Sequence, residues 1–239
     1  KGGCYLESEY AVRELTHNAP DIVRELARLG VPFQAEGDKL IQRNFGGQKK
    51  KRTCYAKSST GKVIMTALID EVRKYEAAGL IKRFSHHEVT DLDISSGRLN
   101  KIYVRDRFAG NVMSFTGPVI LASGGLNGFF EGLTTGTMQN TGDLAAAAFA
   151  RGVRFSNLEF IQYHPTTVKI ADKVMLISEA ARGEGARLFT IKDGKRWYFM
   201  EEKYPSLGNL MPRDVVSREM FLLKRVPRCN GEVFLDMTG

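Results

Sequence analysis

"LISEAARGEGARLF", residues 176–189, decides how the second half of this chain is built. It opens with residues of the buried type and then meets glycine twice, at Gly183 and Gly185. A glycine inside a helix costs about 1 kcal/mol relative to alanine, so a plain surface helix has no use for either. The stretch therefore predicts a junction between strand and helix, or a place where something approaches the backbone closely. Glu179, Arg182, Glu184 and Arg187 are interleaved with those glycines. A buried acid–arginine cluster of this kind shifts the pKa values of its members and can relay protons. A ladder of salt bridges on a solvated face is the competing reading.

Working outward, the first third reads helical. Val12 and Leu15, then Ile22, Val23, Leu26 and Leu29, keep helical spacing. Asn18 and Pro20 predict a second helix start, and Gly30 a stop. Another helix is expected from Thr60, as N-cap, to Gly79. Between them runs the polar loop "RNFGGQKKKRT", residues 43–53. From Leu80 to Phe115 the period shortens into β-rich runs with turns at Ser96-Gly97 and Ala109-Gly110, an antiparallel meander. "PVILASGG", residues 118–125, reads as a buried strand ending in a glycine pair. "NTGDLAAAAFARG" follows as a helix capped by Asn140 or Thr141 and closed by Gly152. After residue 165 come short strands, the turn "KDGKRW", the segment "YPSLGN" and a helix starting near Pro212.

Composition narrows the function classes. The chain has 239 residues, 43% hydrophobic and 26% charged, which fits an ordinary globular protein. No apolar run approaches the roughly 20 residues of a membrane span, and no signal-peptide pattern opens the chain. Cys4, Cys54 and Cys229 are odd in number and lack metal-type spacing, so a reducing, cytoplasmic setting is expected. The net charge is +8, with one dense run, "KKKR" at residues 49–52, followed by Lys57 and Lys62. A solvated basic loop is the preferred reading over a partner-docking or anion-steering surface. No aromatics interleave with the run as base stacking requires, and nucleic acid is not an expected partner.

Four signals carry chemistry. The glycines of "ASGG" allow close approach of backbone to a cofactor, and a tight turn is the alternative. In "NTGD", Asp143 suits either a ribose or ribityl hydroxyl or the helix dipole alone. His164 in "FIQYHPTT" stands before a proline that fixes its backbone. "ISEAARGEG" and "MPRDVVSRE" supply Ser178, Glu179, Arg182 and Arg213.

Together, "FGGQKKKRT", "STGK", "ASGG", "NTGD", "EFIQYHPT", "ISEAARGEG" and "MPRDVVSRE" occur in one order and register. In this the chain resembles the succinate dehydrogenase / fumarate reductase flavoprotein family, which includes L-aspartate oxidase, from about Gly3 to Gly239. The resemblance implies an α/β (α+β) fold. Residues 1–165 would form part of a Rossmann-like FAD-binding domain with an antiparallel β meander, and residues 166–239 part of an α+β capping domain. It also implies FAD as cofactor, lined by Ala122, Ser123, Gly124, Gly125, Thr141, Gly142 and Asp143, with the backbone of Glu88 and Val89 at the adenine end. His164, Ser178 and Glu179 would bind one carboxylate of a C4 dicarboxylate, fumarate or succinate, with Phe45 packed beside it. Arg213 would be the proton donor or acceptor, fed through Arg182 and Glu179, while hydride passes at flavin N5.

The residue before "GG" is typically glutamate in aspartate oxidases. Phe45 offers no counter-charge to an ammonium, which favours the dicarboxylate branch. Ser178 stands where many relatives carry threonine, and the hydroxyl is kept. An iron-sulfur subunit is the implied protein partner, with peripheral placement at the inner face of a membrane and no span of the chain's own. The family's G-x-G-x-x-G fingerprint does not occur in these 239 residues. The remaining substrate histidine and arginine have no counterpart either. The chain is thus expected to be the middle of an enzyme, inactive alone; a non-catalytic module docking through its basic loop is the alternative.

Overall fold

The computed structural model describes residues 5–45, 48 and 50–238. Cys4 and, in the basic loop, Gly46, Gly47 and Lys49 lie outside the described residues, as does Gly239. The chain divides into two compact units. One comprises residues 1–82, 163–166 and 177–239, the other residues 83–162 and 167–176.

In the first unit, α1 (Glu9–Arg28) is a single helix that carries Pro20 inside it. The expected break at Asn18-Pro20 does not occur. Asn18 donates its Nδ2 to the Glu14 carbonyl at 2.9 Å, so its side chain joins the helical surface instead of starting a new cap. The helix stops where expected: Gly30 N–H donates to Ala27 O and Val31 N–H to Leu26 O, the paired bonds of a Schellman ending. Short hairpins follow, β1 (Ala35–Glu36) with β2 (Lys39–Leu40), and β3 (Gln42–Arg43) with β4 (Thr53–Cys54). Helix α2 (Thr60–Ala77) begins one residue earlier than read, with Ser59 in the cap position. The Thr60 hydroxyl accepts from Ala56 N–H at 3.0 Å, which ties the helix to the preceding turn rather than capping it. Gly79 and Leu80 close α2 as Gly30 and Val31 close α1.

The second unit holds the meander, β5 (His87–Ser95), β6 (Arg98–Asp106) and β7 (Val112–Phe115), antiparallel in that order. Ser96 and Gly97 both have positive φ, the geometry of a tight hairpin turn. Residues 118–125 form no strand, and Ile120 is 93% exposed. This corrects the buried-strand reading. No described strand runs beside the segment, so its apolar side chains have no sheet to pack on. Helix α3 (Asp143–Ala150) starts from Gly142 at φ 76° with no side-chain cap bond. The expected caps, Asn140 and Thr141, are used elsewhere: Asn140 Nδ2 donates to Asn127 Oδ1 at 2.9 Å, and the Thr141 hydroxyl donates to Asp143 Oδ2 at 2.7 Å. Arg151, at its end, holds Asp91 of β5 with two bonds of 3.2 and 2.6 Å. A hairpin of β8 (Thr167–Ile170) and β9 (Lys173–Leu176) completes this unit.

The rest of the first unit is α4 (Glu179–Gly183), β10 (Arg187–Lys192), β11 (Lys195–Trp197), α5 (Phe199–Lys203), α6 (Arg213–Leu222) and β12 (Phe234–Asp236). Strand β10 lies between β11 and β12, antiparallel to both. On this sheet sits the core, Leu188, Phe199, Met200, Val216 and Leu223, each at most 1% exposed. Among the described residues, no helix is long and apolar enough to cross a membrane. Phe199 is 0% exposed, and Phe199→Ala is expected to lower the unfolding free energy by about 3–5 kcal/mol. Chemical denaturation measures that loss, and a loss below about 1 kcal/mol would contradict the packing described.

Candidate functional site

The two glycines of the opening stretch have separate causes. Leu176 ends β9, Ser178 caps α4, and Arg187 begins β10, so a one-turn helix links two strands. Gly185 sits just past that helix at φ 113°, where a side chain would be strained. Its N–H donates to Arg182 O and that of Ala186 to Ala181 O, closing α4 as the longer helices are closed. At Gly183 a Cβ would stand 3.1 Å from the Asn44 carbonyl oxygen. The residue is bare because the loop carrying Phe45 runs against it.

Between these anchors α4 buries a carboxylate and a guanidinium. Glu179 is 6% exposed and Arg182 3%. Arg182 Nη2 donates to Glu179 Oε1 at 3.1 Å, and Nη1 to the Asn209 carbonyl at 2.6 Å. From the first residue of α6, Arg213 donates Nε to Glu179 Oε1 at 2.8 Å and Nη2 to Oε2 at 3.2 Å. The Arg213 side chain stays 39% exposed. One carboxylate thus joins two arginines that are 31 positions apart in sequence. Burial pushes the Glu179 carboxyl up, but the bonds and charge of Arg213, with the charge of Arg182, outweigh it and hold it below the ordinary glutamate value. Arg182 is pushed below the usual arginine range by burial and by Arg213, against the pull of Glu179.

His164 belongs to the same unit and is half-buried. Its Nδ1 lies 3.0 Å from Thr166 O and 3.3 Å from Thr166 N. Burial lowers its pKa; the Thr166 contact raises it, Arg213 and Arg182 lower it further, and Glu179 opposes them. Thr166, 4% exposed, donates its hydroxyl to Ile177 O at 2.9 Å and accepts from Ile177 N–H at 3.0 Å. It fastens the His164 turn to the start of α4. Ser178 is exposed, and its hydroxyl accepts from Ala180 N–H at 3.2 Å. Phe45 is half-buried, with the Arg43 guanidinium 5.2 Å from its ring centre.

The substrate-side candidates Phe45, His164, Ser178, Glu179, Arg182 and Arg213 all fall in the first unit. The cofactor-side candidates Glu88, Val89, Ala122–Gly125 and Thr141–Asp143 all fall in the second. There Glu88 pairs across the meander with Arg105 at 3.1 Å, and Val89 lies opposite Val104. "ASGG" and "NTGD" meet: a Cβ on Gly124 would stand 2.5 Å from Asn140 Oδ1, and one on Gly142 2.1 Å from Leu126 Cδ2. Sequence reading missed Gly128, where a Cβ would come within 2.6 Å of the Met138 carbonyl. It also missed Thr166 and Asn209, polar residues whose only sequence signal was their place in turn-like text. Ala122–Gly125 are exposed residues outside any helix or strand, with Gly124 set against the Asn140 side chain two residues before Gly142. Close backbone approach and a hydroxyl acceptor suit a dinucleotide cofactor, and the residues fit FAD.

One unit holds a glycine-bearing segment meeting a helix start, and the other a buried arginine–carboxylate cluster. The family described as "FAD binding domain" matches residues 1–239. The chain is 39% identical to the succinate dehydrogenase flavoprotein subunit of Bacillus subtilis, over 99% of its length, and 33% identical to L-aspartate oxidase 2 of Ralstonia nicotianae, over 96%. A mutant form of E. coli quinol fumarate reductase FrdA superposes with a TM-score of 0.83 at 26% identity, over 95% of the chain. The chain belongs to the succinate dehydrogenase / fumarate reductase flavoprotein family, and FAD is the family's cofactor. It spans 42% of the length of both relatives and 41% of the solved structure.

These shifts give stability a pH dependence of definite sign. Glu179 has a lower pKa folded than unfolded, so its contribution is complete above the unfolded value and lost as pH falls through the folded one. His164 is also lowered from its ordinary 6.5, so below about that pH the unfolded chain binds the extra proton and stability falls. Melting temperature is expected to decline steadily on acidification from pH 7. His164→Asn flattens the upper part of that slope and Glu179→Gln the part below the ordinary glutamate value. A melting profile unchanged in both variants would refute the assignment.

Proposed function

We propose that the whole protein carrying this segment interconverts fumarate and succinate. The observation that carries the reading is the Arg213–Glu179–Arg182 cluster, in which an arginine at the accessible edge is backed by a buried carboxylate and a second guanidinium. When bound, FAD supplies hydride transfer at N5. Reduction of fumarate then needs one proton at the neighbouring carbon, and Arg213 is the donor in that direction and the acceptor in the other. Arginine holds its proton firmly and is a poor acid unless other cations crowd it and its proton is restored at once. Arg182 is the second cation of the cluster, and the hydrogen bonds of 3.1 and 2.8 Å to Glu179 Oε1 form a continuous path for restoring the proton.

Carboxylate binding falls to His164 and the Ser178 hydroxyl, which donate to a substrate oxygen. Both carboxylate oxygens of Glu179 are engaged by Arg213. Its share in binding is therefore assigned to its backbone N–H, one of the amides at the start of α4 that no intrahelical carbonyl can accept. Phe45 packs beside the substrate. Its ring, already facing the Arg43 cation, gives an ammonium no counter-charge and supports a dicarboxylate over aspartate. In the whole protein, residues 1–165 contribute to an FAD-binding domain and residues 166–239 to a capping domain. Glu88, Val89, Ala122–Gly125 and Thr141–Asp143 hold FAD, and electrons reach it through an iron-sulfur subunit that keeps the protein at a membrane surface.

The test is turnover of the whole polypeptide with fumarate and reduced viologen dye, with succinate oxidation and aspartate oxidation as parallel assays. Arg213→Ala is expected to lower fumarate and succinate turnover by about 10²–10⁴-fold while flavin absorbance stays. Aspartate as the preferred substrate, or an Arg213→Ala protein turning over like wild type, would sink the reading.

A further inference from the structure

The first unit buries a polar residue whose carbonyl and both side-chain polar atoms are engaged. Asn209, 7% exposed, sits in a single 3-10 turn at Gly208–Leu210. Its Oδ1 accepts from Leu188 N–H of β10 at 2.9 Å, and its Nδ2 donates to Glu201 Oε1 of α5 at 2.5 Å. Glu201 is held in turn by Arg187 Nε at 2.9 Å. The side chain is therefore pinned to two elements, and its own carbonyl receives Arg182 Nη1 at 2.6 Å.

Arg182 thus has two acceptors on opposite duties. Glu179 is charged and shared with Arg213; the Asn209 carbonyl is neutral. A neutral acceptor satisfies one guanidinium edge without competing for its charge, which remains directed at Glu179. Asn209 also lies four positions before Arg213, joined to it by the extended residues Met211 (ψ 152°) and Pro212 (φ −52°, ψ 152°). Proline fixes its own φ and biases the residue before it toward extended backbone, so this link is stiff. One pinned turn thereby sets Arg182 directly and the entry of Arg213 into α6 through two stiff residues.

We propose that Asn209 is a positioning residue of the reaction described above: through its carbonyl and the Met211-Pro212 link it keeps Arg182 and Arg213 in register on Glu179. This role rests on the proposed fumarate–succinate reading. A displacement of about 1 Å within such a cluster costs on the order of 10²-fold in rate, while substrate contacts through His164 and Ser178 are untouched.

The experiment is a double-mutant cycle in the FAD-loaded whole protein, using Asn209→Ala, Arg182→Lys and the pair. Expected is a fall in kcat of about 10–100-fold for Asn209→Ala with KM within about twofold of wild type. In the Arg182→Lys background the same change should cost less than about threefold, because coupled residues are not additive. Equal losses in both backgrounds, or a KM effect without a kcat effect, would show a merely structural role and overturn the proposal. If Asn209→Ala does not fold, Glu201→Ala removes its outer anchor and decides instead. It should lower kcat and couple to Arg182→Lys, while Glu201→Gln, which keeps an acceptor for Nδ2, restores the rate. Wild-type kcat in Glu201→Ala overturns the role. Wild-type protein without fumarate or succinate turnover overturns the functional reading itself, which separates the two failures.

Discussion

The structure around the site depends on one carboxylate between two guanidinium groups. Burying an ion costs several kcal/mol even after relaxation, so Glu179 and Arg182 can sit at 6% and 3% exposure only because they face each other and Arg213. The local architecture follows from that requirement. Helix α4 is one turn long, enough to place positions 179 and 182 on one face. Gly183 lets the Phe45 loop close over its end, Gly185 turns the chain into β10, and the Asn209 carbonyl takes the guanidinium edge that Glu179 does not. Substituting one member of such a set leaves an uncompensated charge in the interior, which is far more costly than losing a surface pair.

The same requirement shapes the proton-donor role proposed for Arg213. A lone exposed arginine holds its proton too firmly to act as an acid. Here burial and a neighbouring cation push Arg182 down, and one carboxylate oxygen of Glu179 accepts from both arginines. The residues proposed to hold FAD obey a different rule. Around Gly124, Gly128 and Gly142 the controlling constraint is the distance between backbones and side chains, where added Cβ atoms would meet neighbours at 2.1–2.6 Å. Charge organises one group of residues, and absence of side chain the other.

Much of this was legible in the sequence where the cause is local. The meander, the turn at Ser96-Gly97 and the helix stops at Gly30, Gly79 and Gly152 follow from residue type and period, and each is found where expected. Errors arose where a residue had two local uses. Pro20 read as a helix start and lies inside α1. Asn140, Thr141 and Thr60 read as caps, yet their side chains bond to the Asn127 side chain, the Asp143 carboxylate and the Ala56 N–H rather than to free amides of the helix. Residues 118–125 have the composition of a buried strand, but a strand exists only by pairing, and no described partner runs beside them.

By itself the sequence determined the family, the residue types of the site and most of the short-range structure, because those are carried by motifs, periods and turn chemistry within a few positions. It could not show that Glu179 would reach Arg213 across 34 positions, that Thr166 would clamp His164 to α4, or that Asn209 would serve three elements at once. Those are contacts between segments with no sequence relation to each other. Only the tertiary structure decides them, since hydrogen-bond partners for a buried charge are chosen by proximity in space.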